Sequence, residues 1–572
     1  MSDIKINKNF FQVSAEDFKK IPGSPIAYWV SNDLLSQFVI RESLEKNSKP
    51  KQGATTSDNN RFLRFWFEVS NNIIGFNIPD RKNAKESKKK WFPYNKGGGF
   101  RRWYGNQDYV INYYNDGEEI KDFHEVLNRT SPGGRLKNQE NYFQESASWS
   151  KITSGSFAVR YFPEGFIFDV AGSAIFFKSK KETEVYVALL DTCFSTKILS
   201  ILSPTLNFVA GHLCKIPVLR YFKKDLYNRI ISLSKYDWDS YDTSWDFQVF
   251  PLISLKNGND RLQTIYKTLY QKWQGMTLEM QKLEEENNRI FIDAYGLQDE
   301  LTPEVLLKEI TLTCNPYYRY GDKKSEKELE SLLLTDTMKE LVSYAVGCIL
   351  GRYSLDKDGL ILANAGENID DYLKQIPEPS IMPDESGILP ITDENDFTDD
   401  LTSQFKTFLK ASFGTENFSE NLHFIEESIN KNIRNYFIKD FYKDHVKRYK
   451  KRPIYWMISS PSGAFRSLIY LHRYTKDTIS LFLNDYLRPY QRKLEAKVQQ
   501  ADQILISATS SHSDKAKAQK NLDKIRKVLN ELEVWERDIV YPLATQRIEL
   551  DLDDGLRLIM GSWDRYSKKL RG

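Results

Sequence analysis

Cysteine is scarce in this sequence, and the few present do not form a ligand set. Cys193, Cys214, Cys314 and Cys348 lie far apart with no Cys-x-x-Cys, and only Cys214 has a histidine close by, His212. That spacing argues against a disulfide framework and a structural metal, and it fits a reducing cytosol. Long apolar runs are lacking too. No stretch approaches the length of a membrane span, and MSDIKINKNFFQ carries no apolar signal core, so a cytoplasmic chain without membrane contact is expected. Net charge is almost absent, +3 over 572 residues, so any basic face must be local and balanced by acid elsewhere. His212 has no acid beside it to orient a base, which makes it a structural residue before a catalytic one.

Aromatic residues, in contrast, are plentiful at 13% (34 Phe, 32 Tyr, 11 Trp), against an ordinary 40% apolar and 28% charged content. They concentrate in WFPYNKGGGFRRWYGN, residues 91–106. Gly97, Gly98 and Gly99 disfavour a helix and permit close backbone approach. Around them stand Trp91, Phe92, Tyr94, Phe100, Trp103 and Tyr104 with Lys96, Arg101 and Arg102. Cations, flat rings and a glycine loop suit a surface that holds phosphates and presses on bases. The competing reading is a β-hairpin with core aromatics and solvated arginines. A basic run from Arg81 to Arg102, with Glu86 its one acid, includes Lys82, Lys85, Lys88, Lys89 and Lys90 and adjoins this stretch.

Upstream, Ser57-Asp58-Asn59-Asn60 is a turn cluster feeding Arg61 and Arg64, which alternate with Phe62, Phe65, Trp66 and Phe67. Downstream, DYVINYYNDGEEI predicts a strand and a turn at Asn115–Gly117, and Ser148–Phe177 reads as all strand. An apolar helix is expected around Val185–Leu202. From Asp260 the period changes: Leu262, Ile265, Leu269, Trp273, Met276, Met280, Leu283, Asn287 and Ile290 step by three and four, a long helix. Residues 366–402, acidic and punctuated by Pro377, Pro379, Pro383 and Pro390, read as an exposed linker. The last third is helical. Two stripes, from Leu483 and from Leu522, flank the polar turn Ser507–Ser513 and predict an antiparallel hairpin at about 481–545.

Several segments together resemble one family: GATTSDNNRFLRFW, KWFPYNKGGGFRRWYGN, ITSGSFAVRYFPEGFIFDVAGSAIF, LEEENNRIFIDAYGLQDELTPE, LTCNPYYRYGDKKSEKELESLLLTDTMKELVSYAVGCILGRYSLDKDGLILAN and LDLDDGL. In this order they resemble the C-terminal half of the PglX family, adenine-specific DNA methyltransferases of BREX phage-exclusion systems that are related to type IIG restriction-modification enzymes. The resemblance implies an α+β chain: a mixed α/β target-recognition domain at 1–255, a long helix and helical support at 256–365, the linker at 366–402 and a helical domain at 403–572. No Rossmann-like methyltransferase domain is expected. The family holds S-adenosylmethionine on a glycine-rich loop and a flipped adenine on an Asn-Pro-Pro-Tyr motif. Neither is visible; the nearest string, Cys314-Asn315-Pro316-Tyr317-Tyr318, lacks the second proline. A second departure is Thr56-Ser57, where the family has Thr-Gly.

The expected function is therefore sequence-specific recognition of double-stranded DNA, with no cofactor, metal or catalytic residue in this chain. Lys89, Lys90, Lys96, Arg101, Arg102 and Lys151 would meet phosphates, Asn59, Arg61, Arg64 or Arg160 base edges, and Trp103 either a base or the core. S-adenosylmethionine would be bound by a methyltransferase catalytic domain or subunit, and other phage-exclusion proteins would be partners. Alternatives are a silent or exchangeable specificity cassette, or a protein that docks on a separate methyltransferase subunit and supplies specificity in trans. A competing reading is a complete enzyme, a methyltransferase or a nuclease; a nuclease would need clustered carboxylates with a lysine on a strand, and Asp80, Glu86 and Lys88 are available but no strand carries them.

Overall fold

The computed structural model describes residues 14–46, 48–131, 133–152, 156–203, 207–219, 223–256, 261–394 and 396–554. The N-terminal MSDIKINKNFFQ, residues 153–155 of the strand-rich segment, Asp260 and the last residues of LDLDDGL lie outside them. The chain divides into two compact units that interleave in sequence. The first takes residues up to Trp66, Ile73–Ser244 and Tyr270–Leu329, and the second takes Phe67–Asn72, Trp245–Leu269 and the chain from Glu330 onward. The stretch expected as one support region, 256–365, is thus shared between them.

The first unit is mixed α/β. Its strands are β1 (Glu42–Ser43), β2 (Lys49–Lys51), β3 (Leu63–Phe65), β4 (Trp91–Asn95), β5 (Tyr109–Asn112), β6 (Ser146–Trp149), β7 (Val159–Phe162), β8 (Ile167–Phe168), β9 (Ala174–Phe176) and β10 (Pro217–Val218). They form sheets ordered β3-β5-β4-β8 and β2-β9-β6-β7 and the pair β1-β10, antiparallel except for β4 with β8. β4 pairs with β5 from Trp91↔Asn112 to Tyr94↔Tyr109, and the β4 rings Trp91, Phe92 and Tyr94 are buried. Phe62, Phe92, Tyr94, Ile111, Tyr113, Phe143 and Ile167 make one core.

Two local expectations take a different form. The Asn115–Gly117 turn exists, with all three residues left-handed (φ 49, 62 and 74°), but it opens the helix Tyr114–Thr130 instead of closing a hairpin. The apolar helix is two, Lys180–Leu190 and Cys193–Leu202, bent by 73°. Thr192 caps the second by accepting from Ser195 N–H. No single described helix is long and apolar enough to cross a membrane; this bent pair passes by composition, and its apolar residues are buried. The long helix runs Leu262–Tyr295.

In the second unit three antiparallel strands, β11 (Ile388–Ile391), β12 (Tyr455–Ser459) and β13 (Arg466–Tyr470), pair in the order β11-β13-β12. β11 corrects the linker reading of 366–402: Ile388 and Leu389 are fully buried, and Asp400 caps the helix Leu401–Phe413. An apolar run bought into a sheet by backbone pairing is not a solvated tether, whatever its flanking acids. The helices Arg488–Ile506 and His512–Trp535 do form the hairpin. Arg488 meets Glu536, Arg526 meets Asp502, and Ala501 packs with Ala518 and Leu522, a register that only antiparallel helices produce. Both arms widen to i→i+5 turns at their base, Phe482–Leu487 and Glu536–Val540, where the Phe482 and Trp535 rings meet edge to face.

Candidate nucleic-acid interface

The turn before β3 is capped as its residues dictate: Asp58 Oδ1 accepts from Asn60 N–H and Arg61 N–H, starting the short helix Asn59–Phe62. Ser57 sits at φ +61°, the left-handed conformation that glycine adopts freely. Asn59 is exposed, and its Oδ1 accepts from Thr56 Oγ1 at 2.5 Å and from Lys96 Nζ at 3.2 Å. Lys96 also pairs with Asp169 at 3.3 Å, and Tyr94 Oη donates to the same carboxylate at 2.6 Å. Two expected contact residues, 37 apart in sequence, are thus brought together at one edge of the β4-β8 pair.

The glycine loop leaves β4 here. Gly97 (φ +78°) is pressed on Ala171, whose carbonyl oxygen would lie 2.9 Å from an added Cβ. Asn95 holds the start of the loop, its Nδ2 donating to Ser148 Oγ and its Oδ1 accepting from Gly97 N–H. Only the tip, Gly98 and Gly99, is exposed. From Phe100 the chain turns inward.

There Arg101 and Arg102 meet acids instead of solvent. Arg101 Nη2 lies 2.9 Å from Asp237, its Nη1 donates to Thr313 Oγ1 and its Nε to the Tyr104 carbonyl, with the guanidinium over Trp238. Asp237 also accepts from the backbone N–H groups of Thr313 and Cys314. Arg102 Nη1 donates to Glu284 at 2.7 Å, and Trp103 Nε1 donates to the other oxygen of that carboxylate at 2.8 Å. Burial pulls the Arg102 guanidinium down, but Glu284, Asp191 and Glu309 hold it above its ordinary value. Trp103, 1% exposed, has φ +68°, a costly conformation for a bulky residue; its N–H donates to Val159 and its carbonyl accepts from Tyr161, which fix it there.

Arg160 on β7 is equally buried. It donates to the Arg101 carbonyl and to Ser150 Oγ, and burial pushes its guanidinium down to about 10. Arg64 donates to the Asn60 and Leu63 carbonyls and lies over Trp91. The expectation that Arg64, Arg101, Arg102 and Arg160 reach DNA is therefore replaced by a framework role: each is under a tenth exposed and engaged inside the unit. The aromatics divide the same way. Trp91, Phe92, Tyr94, Trp103 and Tyr104 are core, as the hairpin reading has it, and Phe100 is half-buried.

The remaining candidates lie at or near the surface. Arg61 pairs with Glu119 at 2.8 Å with both side chains about half exposed, Lys89 and Lys90 are half-buried, with Lys90 over the Trp91 ring, and Lys151 is half-buried without an ion pair among the described residues. Lys85 and Lys88 complete the set: both are exposed with no ion pair among the described residues. The basic run signals them in the sequence, but the neighbouring arginines outrank them there.

The string nearest the family's adenine motif is structural. Asn315 is fully buried; its Nδ2 donates to the Leu307 and Ile310 carbonyls and its Oδ1 accepts from Tyr317 N–H as the cap of the helix Pro316–Tyr320. Tyr318 Oη donates to the Phe100 carbonyl. Fully buried and capping a helix, the Asn315 side chain is committed to holding its own segment together.

The first unit is, then, a mixed α/β body with a buried arginine–carboxylate framework and a lysine-bearing surface. No family model matches the chain. Sequence comparison relates it to adenine-specific methyltransferases: it is 35% identical over 568 residues to the adenine-specific methyltransferase BrxX of Escherichia coli O9:H4 (strain HS), covering 96% of this chain and 45% of that protein. It is also 35% identical over 577 residues to the adenine-specific methyltransferase PglX of Lacticaseibacillus casei (strain Zhang), again 96% of this chain and 45% of the relative. The chain spans less than half the length of the relatives it matches.

Proposed function

We propose that this chain is the DNA-recognition part of an adenine-specific (N6) DNA methyltransferase of a BREX-type phage-defence system, corresponding to the non-catalytic, C-terminal half of such enzymes. The observation that carries this reading is the extent of the match: nearly the whole chain aligns, yet it accounts for 45% of each methyltransferase. The Asn315 geometry supports it, since the amide of the motif-like string is fully buried and serves as a helix cap.

In this reading the first unit meets the duplex through Asn59, Arg61, Lys85, Lys88, Lys89, Lys90, Lys96 and Lys151. The buried arginines hold the loops that carry them. Asn59 Nδ2, which donates to no described residue, is a base-edge donor beside the Lys96 ammonium. S-adenosylmethionine is seated by a catalytic domain in cis or in trans, and the adenine rotates out of the duplex toward that domain. Incubation of the chain with labelled S-adenosylmethionine and duplex DNA tests this. No label is expected in DNA with the chain alone, and label is expected once a family catalytic domain is added. Incorporation by the chain alone overturns the proposal.

A further inference from the structure

The first unit contains a cavity of about 250 Å³ that the recognition reading does not use. It opens between the long helix, through Trp273 and Gln274, and the segment Pro316–Tyr317, with Glu326 at its rim. Trp273 is nearly buried and Tyr317 half-buried, so their rings are walls and not loose surface groups. The Gln274 amide and the Glu326 carboxylate have no hydrogen-bond or ion-pair partner among the described residues. Aromatic walls with a free amide and a free carboxylate suit a flat ring that carries amine hydrogens on its edge.

The surrounding charge separates this guest from a cationic one. Lys323 and Lys327, exposed and without ion pairs among the described residues, flank Glu326 in sequence, whereas Lys308, next to the wall residue Leu307, is already paired with Asp322 at 2.8 Å. A cationic side chain would meet these ammonium groups, whereas the phosphate attached to a nucleobase is drawn by them. The volume admits one base with its sugar. We infer that this cavity binds a nucleobase of the amine-bearing kind, with its ring against Trp273 and Tyr317, its amine on Glu326 and its phosphate toward the lysines. The base comes either as a free nucleotide or as one rotated out of a nucleic acid. The site is separate from the Asn59–Lys96 surface and stands whether or not that surface binds DNA.

The test uses the intact chain and calorimetric titration with guanosine 5′-monophosphate, adenosine 5′-monophosphate and, as control, ribose 5-phosphate. The base-bearing ligands are expected to bind and the control is not. Tyr317→Ala and the cavity-filling Leu278→Trp, the latter at a half-exposed lining position, should each weaken nucleotide binding by about tenfold or more, the loss of one stacked ring or of the space for it. Unchanged denaturation midpoints in these variants show that the fold is intact. A parallel titration compares a fully paired duplex with one holding a single mismatched base. Tighter binding of the mismatched duplex that both variants abolish assigns the site to a rotated base, and nucleotide binding without that preference assigns it to a free nucleotide. Equal binding of ribose 5-phosphate, no nucleotide binding, or variants that bind like the parent would each overturn the inference.

Discussion

Arg101 Nη2 stands 2.9 Å from Asp237 Oδ2 with the two side chains only 3% and 1% exposed. A charge pair so far from water is a strut. It joins the end of the glycine loop to the helix Lys224–Asp239 and, through Asp237, to the backbone at Thr313 and Cys314.

Removing one member leaves the other buried and uncompensated, at a cost of about 3–5 kcal/mol. Arg101→Ala is therefore expected to lower the denaturant midpoint sharply, and any loss of DNA binding should track loss of folded protein. A variant as stable as the parent that has lost DNA affinity would instead place Arg101 at the interface.

Lys85→Ala with Lys88→Ala is the converse case. Both residues are exposed and without ion pairs among the described residues, so stability should change by less than about 0.5 kcal/mol. If both meet phosphates, the slope of log affinity against log salt becomes shallower by roughly 1.8. Filter binding over a salt series measures it, and an unchanged slope removes these two lysines from the interface.

The buried Asp191 carboxyl gives the fold a pH dependence. Burial pushes it up to about 8 from 3.8, against the pull of Arg102 and Arg160; its Oδ1 accepts from Val159 N–H. Between those values the folded chain keeps a proton that the unfolded chain has shed. Stability from this group is thus complete below pH ~4 and is lost as pH rises through about 8. Denaturation midpoints should fall across that window in the parent and fall less in Asp191→Asn, which keeps the acceptor for Val159. Parallel curves would show that Asp191 is already ionised in the folded chain.

Ser57 is exposed at φ +61°. A left-handed L-residue costs roughly 1–2 kcal/mol, partly offset by the greater freedom that glycine has when unfolded. Ser57→Gly is expected to raise stability by up to about 1 kcal/mol, read from thermal or denaturant unfolding. A destabilised variant would mean that the serine hydroxyl contributes more than its backbone strain costs.

Periodicity makes the long helix and the hairpin legible, because the residues that bury them recur every three or four positions. It also holds an unread clue. On the long helix the buried face runs through Met280, Glu284, Asn287, Asn288 and Phe291, whereas Leu283 and Ile290 are only half-buried. A carboxylate in a core stripe requires a cation, and Arg102 is that cation. The two lie 182 residues apart, as Arg101 and Asp237 lie 136 apart, and local pattern cannot join them. For that reason the arginines read as a nucleic-acid surface. The acidic stretch hid β11 similarly: Ile388–Ile391 is a short run whose partner, Arg466–Tyr470, is far along the chain.

The most direct test of the account is the affinity of the intact chain for duplex DNA measured across ionic strength. A lysine-bearing recognition surface predicts measurable binding at low salt that falls linearly on a log–log plot, with a slope near −0.9 for each phosphate met. No binding at low salt, or an affinity indifferent to salt, would contradict it.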